Sequence, residues 1–359
     1  MRHPHGYQER DAKGSPPCLT PRGGYKALMQ EVFLWRQALF IGVGLAFFTT
    51  TGWSQQAAPG QEPNPGSDAS SYVKFGMSNG QRGDLDAAVA AFNEAITIDP
   101  KFAPAYYNRG LAHALQNRFG DAIRDYNQAI QINPNYAAAY YQRGSLLGQQ
   151  ADFDGAIADF SRVIKLVPSY GPAYYNRGHV EYFRGDLDDS LSEINHALGL
   201  TANFPFAYFI RGLIERAKGE RPEAVSDFQK SAGLGFSEAA LWVWIVEREN
   251  GQRGIAREDL SNALTKANSF RAGEWPTPVA EYLLDKITDA QLLTQANQGA
   301  ANDIQNKLCE AWFYIGMVKH LAGDRAGAQD AFSRSIATGA KGSEEFIEST
   351  REMTPTPTE

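Results

Sequence analysis

Apolar and small side chains recur along most of this chain at helical spacing, nested inside a longer period. Within residues 103–136, Tyr106, Gly110 and Ala114 lie four apart and share one face of a helix. Asn117 to Gly120 then break the pattern, and Ala122, Tyr126 and Ala129 mark the apolar face of a second helix. Pro104 suits the first turn of the first helix, where a missing N–H costs little. Asp121 opens the second helix with a carboxylate at its positive end. Pro134 closes the unit because it cannot continue the hydrogen-bond ladder. The spacing predicts a helical hairpin, and Gly110 leaves room for its second helix to approach the first.

The hairpin repeats. Gly76, Gly110, Gly144, Gly178 and Gly212 stand 34 residues apart, each four residues after a tyrosine: Tyr72, Tyr106, Tyr140, Tyr174 and Tyr208. Twelve residues after each glycine comes a small residue (Ala88, Ala122, Ala156, Ser190, Ala224), and sixteen after it a bulky apolar one (Phe92, Tyr126, Phe160, Ile194, Phe228). Pro100, Pro134 and Pro168 end the first three units. One hairpin cannot bury its own apolar face, so neighbours must stack. This pattern is identified as the tetratricopeptide repeat (TPR). The resemblance implies an all-α, right-handed solenoid of helix hairpins, with about seven units here.

Five regular units occupy residues 69–236. Residues 237–308 read as a degenerate sixth unit, with Gly251 at its turn, followed by an irregular helical insert interrupted at Pro276-Thr277-Pro278. A last unit, 309–342, places Trp312, Gly316, Gly323, Asp324, Ala328 and Phe332 on the template. Residues 343–353 are expected to form a helix capping the exposed end, and 354–359 a disordered tail.

The seventh position of each unit, normally apolar in TPRs, is Arg109, Arg143, Arg177 and Arg211 in the second to fifth units. The residue sixteen further on is then Asp125, Asp159, Glu193 and Asp227. Where the seventh residue is Phe75 or Ile315, the later one is Ala91 or Ala331. Arginine goes with an acid and an apolar residue with alanine, which predicts an ion pair between the two helices of a unit. A lone buried guanidinium would be costly, whereas a paired one is tolerated.

In TPR proteins ligands lie in the concave face, to which positions 2, 5, 9 and 12 of each unit point. Position 5 is Tyr107, Tyr141, Tyr175 and Phe209; beside it, position 6 supplies Asn108, Gln142 and Asn176; position 9 of the fourth unit is His179. Rings edged by amides suit an extended peptide, the rings taking side chains and the amides taking backbone groups. The alternative is that the rings only pack between units. The Lys and Asn that TPR chaperone adaptors use for a terminal carboxylate are absent at positions 5 and 9. His179 would tune binding near its own pKa.

Composition narrows the function. Of 359 residues 43% are apolar and 21% charged, so the chain can bury a core. Lys plus Arg is 34 and Asp plus Glu 41, a net charge of −7 that gives no basic footprint for nucleic acid. The 2 cysteines cannot build a disulfide framework or a Cys-rich zinc site, and the 6 histidines show metal-like spacing only at His3-x-His5. No metal or cofactor is expected. No phosphate loop, His-Glu-x-x-His or Cys-x-x-Cys is present. Cys309 begins a helix with His320 eleven residues on and reads as core, so the chain is expected to be non-catalytic.

The amino terminus reads as an address. Arg36, the apolar run of residues 38–48 and Gly52-Trp53-Ser54 form a secretory signal peptide with cleavage after Ser54; an uncleaved inner-membrane signal anchor is the alternative. Met29 is a second candidate start. Residues 55–68 follow as a flexible linker. The chain is thus expected to be exported, as a periplasmic or secreted protein.

From residue 237 the sequence resembles the NlpI family of bacterial envelope TPR lipoproteins. The resemblance rests on Leu241-Trp242-Val243-Trp244, Trp275 before Val279-Ala280-Glu281-Tyr282-Leu283-Leu284, Ile287-Thr288, and Leu308 to Gly316 running into Leu321-Ala322-Gly323-Asp324 and Phe332 to Ala337. It implies a periplasmic adaptor, typically a homodimer, that docks cell-wall endopeptidases and sometimes a protease that degrades them. Trp275 is a second candidate binding residue. Unlike that family, the chain has no cysteine after its apolar run for lipid attachment, and it has more regular repeats. Two roles stand: an envelope adaptor, or a structural subunit of a secretion or outer-membrane assembly.

Overall fold

A computed structural model describes residues 63–64, 66–266, 270, 274–340 and 343–353. The candidate signal peptide, Met29, the linker before residue 63 and the tail from residue 354 lie outside them. The described residues form seventeen α-helices and no strand. Five hairpins come first: α1 (Ala69–Gln81) with α2 (Leu85–Ile98), α3 (Ala103–Leu115) with α4 (Phe119–Ile132), and α5 (Ala137–Gln149) with α6 (Phe153–Leu166). The fourth is α7 (Gly171–Arg184) with α8 (Leu187–Leu200), and the fifth α9 (Pro205–Lys218) with α10 (Arg221–Gly233). The first helix of each hairpin starts 34 residues after the one before it.

Local chemistry sets the ends of these helices. Asp84 and Asp152 cap the second helix of their units by accepting from the N–H groups of Ala87 (3.0 Å) and Gly155 (3.1 Å). The turn between the two helices needs one residue at positive φ. Gly83, Gly185 and Gly219 take it at 82° to 94°, while Asn117 and Ala151 adopt it at 59° and 58°. Close approach explains the repeat glycine: a Cβ on Gly110 would stand 2.7 Å from the Tyr126 ring.

Beyond the fifth unit the regularity fades. Helix α11 (Ala239–Glu249) pairs with α12 (Arg253–Thr265), and it is buried on all sides from Ala239 to Glu247. Short helices α13 (Thr277–Leu283) and α14 (Asp289–Ala296) follow. Helix α15 (Ala301–Leu321) pairs with α16 (Arg325–Ala337), and α17 (Glu344–Met353) ends the described chain. Helix α15 starts about two turns before Cys309, because residues 301–308 contain neither Pro nor Gly to stop it. Cys309 is buried against the Ser335 and Ser343 hydroxyls, at 3.3 and 3.4 Å. Burial pushes its thiol pKa up to about 12, which keeps it protonated and unreactive.

The four repeating arginines form the ion pairs that their covariation predicts, and more. Arg109 donates to Asp125 at 2.9 and 2.6 Å, Arg143 to Asp159 at 2.8 and 2.7 Å, Arg177 to Glu193 at 2.5 Å, and Arg211 to Asp227 at 2.5 and 2.7 Å. Each also reaches back sixteen residues to the preceding unit, to Asn93 (2.6 Å), Asn127 (2.6 Å), Ser161 (3.0 Å) or Asn195 (2.7 Å). Each guanidinium further lies over the ring of the repeat tyrosine three residues before it, at 5.4 to 6.0 Å. One arginine therefore ties three helices together. The exceptions follow from the backward bond. Phe75 begins the array with no earlier described unit, and sixteen residues before Ile315 lies Gly299, in the turn before α15.

Burial and bonding act against each other in these pairs. Burial raises the Asp159 pKa although Arg143 pulls it down; the bond to Asp159 raises the Arg143 pKa although burial lowers it. Desolvation wins at the more deeply buried carboxylate and hydrogen bonding at the half-buried guanidinium.

Candidate functional site

The ladder at position 5 is in the interior. Tyr107 packs between Tyr126 and Tyr136, with ring centroids 6.0 and 5.0 Å away. Tyr141, 1% exposed, packs between Phe160 (5.7 Å) and Tyr170 (5.5 Å). Tyr175 meets Phe204 at 4.6 Å, and Phe209 meets Phe228, Phe236 and Trp242 at 5.6, 4.9 and 6.1 Å. Each ring fills the gap between its own unit and the start of the next.

The amides serve those rings. Asn176 donates to the Tyr141 hydroxyl at 2.7 Å, and Gln142 lies beside Tyr107. Asn108 donates to the Pro104 carbonyl of its own helix at 2.8 Å. Burial lifts the pKa of both Tyr107 and Tyr141 above the ordinary phenol value. Of the two readings of the ladder, the geometry supports packing between units. Trp275 is half-buried, and its indole N–H donates to Glu310 of α15 at 2.5 Å.

His179 is different. It is buried between Tyr175 (5.6 Å) and Phe183 (4.6 Å), and its Nε2 lies 3.8 Å from a Glu344 carboxylate oxygen. Glu344 opens α17. This helix packs against α15 and α16 of the last unit, and it also reaches α7 and α9 of the fourth and fifth units. Tyr182 of α7 donates its hydroxyl to Glu348 at 2.7 Å. Arg216 of α9 donates to Glu348 at 2.7 Å and to Glu352 at 2.8 Å, and also holds Glu249 at 2.6 Å. Arg351 returns a bond to the Tyr182 hydroxyl at 2.6 Å, with its guanidinium 4.4 Å from the ring centre.

The charges are balanced but deeply set. The Arg216 side chain is 9% exposed and that of Glu348 2%. Burial works against the Arg216 charge, yet Glu348 and Glu249 outweigh it and hold its pKa above the ordinary value. On its other side α17 sends Phe346 and Ile347 into the main apolar core.

His179, Tyr182 and Arg216 occupy positions 9, 12 and 12 of their units, the concave-facing positions. Sequence reasoning placed His179 there and missed Tyr182 and Arg216. A signal was available: position 12 reads Gly80, Ala114, Gly148, Tyr182, Arg216. The small residues give way to large polar ones in the units that α17 touches.

Family models for the tetratricopeptide repeat match residues 81–117, 103–136 and 141–202. Among solved structures, PilF of Pseudomonas aeruginosa is similar over 55% of this chain and 92% of its own, at 18% identity and a TM-score of 0.50. The type IV pilus biogenesis factor PilW is similar over 55% of this chain and 93% of its own, at 19% identity and 0.50. MamA is similar over 45% and 94%, at 28% identity and 0.43. The comparison with curated proteins gave no match. The pilus proteins share the fold with this chain, and the matched residues together with the stacked hairpins make it a carrier of tetratricopeptide repeats, built as an α-solenoid.

Proposed function

We propose that this chain is a non-catalytic protein-binding adaptor of the bacterial cell envelope that recruits peptidoglycan hydrolases or proteases. Tetratricopeptide repeats mediate contacts between proteins. The observation that carries the binding role here is the concave face of the fourth and fifth units. There His179, Tyr182 and Arg216 already hold a helical segment through its glutamates. The envelope address rests on the apolar run of residues 38–48 with its flanks, and the class of partner on the NlpI-like motifs of the second half. Among the described residues no helix is long and apolar enough to cross a membrane.

The test is fractionation of an epitope-tagged full chain in an envelope-bearing bacterium, followed by crosslinking and capture. Recovery with the periplasmic fraction, bound to a cell-wall hydrolase or an envelope protease, is the expected result. Recovery in the cytoplasm overturns the address. A periplasmic chain that captures neither class overturns the adaptor role.

A further inference from the structure

The groove between α7 and α9 is lined for an anionic helix. Arg216 and Tyr182 each offer hydrogen-bond donors toward the concave side, and Arg216 bonds two glutamates one helical turn apart, Glu348 and Glu352. With Glu344 beside His179, the three acids stand at i, i+4 and i+8 on one face of α17. The recognition is polar and directional: a guanidinium forks between carboxylates, and a phenol supplies a further donor.

Helix α17 has two unlike faces: Phe346 and Ile347 enter the apolar core and Ser349 meets Ser335 of α16 at 3.1 Å, while its glutamates meet α7 and α9. It has ten residues, too few to be stable alone, so it keeps its shape only while docked. It has no partner helix after it among the described residues. Its release would leave Arg216 facing only Glu249, with vacated donors on Arg216 and Tyr182 in a desolvated groove. A second helix with the same spacing of acids would restore the bonds that Tyr182 and Arg216 make to Glu348 and Glu352.

We propose that this groove is a docking site for a partner helix bearing glutamates or aspartates at i and i+4, and that α17 holds the site in the free protein. Partner binding is then an exchange: the incoming helix displaces α17, and its apparent affinity is lowered by the fraction of time the site is filled. The proposal rests on the adaptor reading for the existence of partners, and specifies the chemistry they present.

The test uses the full chain and a fluorescent peptide of residues 343–353. Glu348→Gln with Glu352→Gln in the chain weakens the resident helix while keeping Phe346 and Ile347 in place. The peptide is expected to bind this variant at least about tenfold more tightly than the unaltered chain. A peptide carrying the same two glutamines is expected to lose that binding. Equal binding to both chains, or to both peptides, overturns the proposal. Concentration-dependent dimerisation of the variant in light scattering, with the peptide excluded, assigns the groove to a second copy and also overturns it. Hydrogen exchange on the unaltered chain gives a readout that does not depend on the variant folding. Amides of α17 are expected to exchange at least about tenfold faster than those of α15 and α16, and exchange at one common rate overturns the proposal. None of these readouts depends on which envelope proteins are captured, so failure here is separable from failure of the adaptor reading.

Discussion

The first three units and the remainder of the array stack the same kind of hairpin but close their cores differently. In the first three, each apolar cluster contains one hairpin plus two residues of the following helix: Ala105 and Ala112 for the first, Ala139 and Leu146 for the second, Ala173 and Val180 for the third. From Tyr174 to Ile347 there is one continuous core, centred on Trp242, Phe228, Phe313 and Phe332. The first half is a chain of nearest-neighbour contacts. In the second, α17 joins residues more than a hundred positions apart, such as Arg216 and Glu348. Regular repetition gives a modular rod; loss of the repeat gives a body with long-range closure.

The largest test of that difference is Trp242→Ala, which removes the centre of the long core and should cost about 3–5 kcal/mol in denaturant unfolding. Hydrogen exchange should then lose protection in α7 to α17 and keep it in α1 to α6. Equal loss in both regions would show that the two halves fold as one unit. Next comes Arg216→Met, which leaves Glu348 to Arg351 and Tyr182 alone and should cost about 3 kcal/mol, since removing one partner strands a buried charge. The chain should melt earlier, with the loss confined to the second half.

Arg143→Leu is the matching change in the modular half and should cost about 1–3 kcal/mol by leaving Asp159 unsatisfied. Adding Asp159→Ala should recover most of that. Additive losses in this double-mutant cycle would refute the pairing. At Ala151, where the turn forces φ to 58°, Ala151→Gly should raise stability by about 1 kcal/mol in the same assay.

The smallest effect is a pH dependence of opposite sign at one repeat position in the two halves. Glu181, Glu215 and Glu247 sit near Glu193, Asp227 and Asp259. Burial first, and then these neighbouring acids, raise their pKa values from 4.5 to about 7, 8 and 7. Their contribution is complete below pH 4.5 and is lost as pH rises through about 7 to 8. In α3 the equivalent position is His113, whose pKa burial lowers from 6.5, so its contribution is present above pH 6.5 and lost as pH falls. Melting of the second half should decline from acid toward neutral pH, and Glu215→Gln should flatten that slope. A slope unchanged by the substitution would remove Glu215 as its source.

Much of this was legible because it is local. The hairpins, the glycine against Tyr126 and the arginine–acid pairs all lie within one repeat, and repetition inside a single chain exposes their covariation. The backward bonds from arginine to Asn93, Asn127, Ser161 and Asn195 were also periodic, yet asparagine and serine carry no charge to advertise a partner. For Tyr141 and Tyr175 the spacing told which way the rings point, but not how near the next unit stands. That distance decides whether a ring is groove or core.

The sequence alone determined the all-helical repeat and the ion pair within its second to fifth units. The period fixes which side chains share a helix face, and one hairpin's geometry is nearly independent of the rest. Only the tertiary structure decided that position 12 of the fourth and fifth units receives the carboxy-terminal helix. That contact depends on the accumulated curvature of several stacked units, a sum of small rotations that no single repeat encodes.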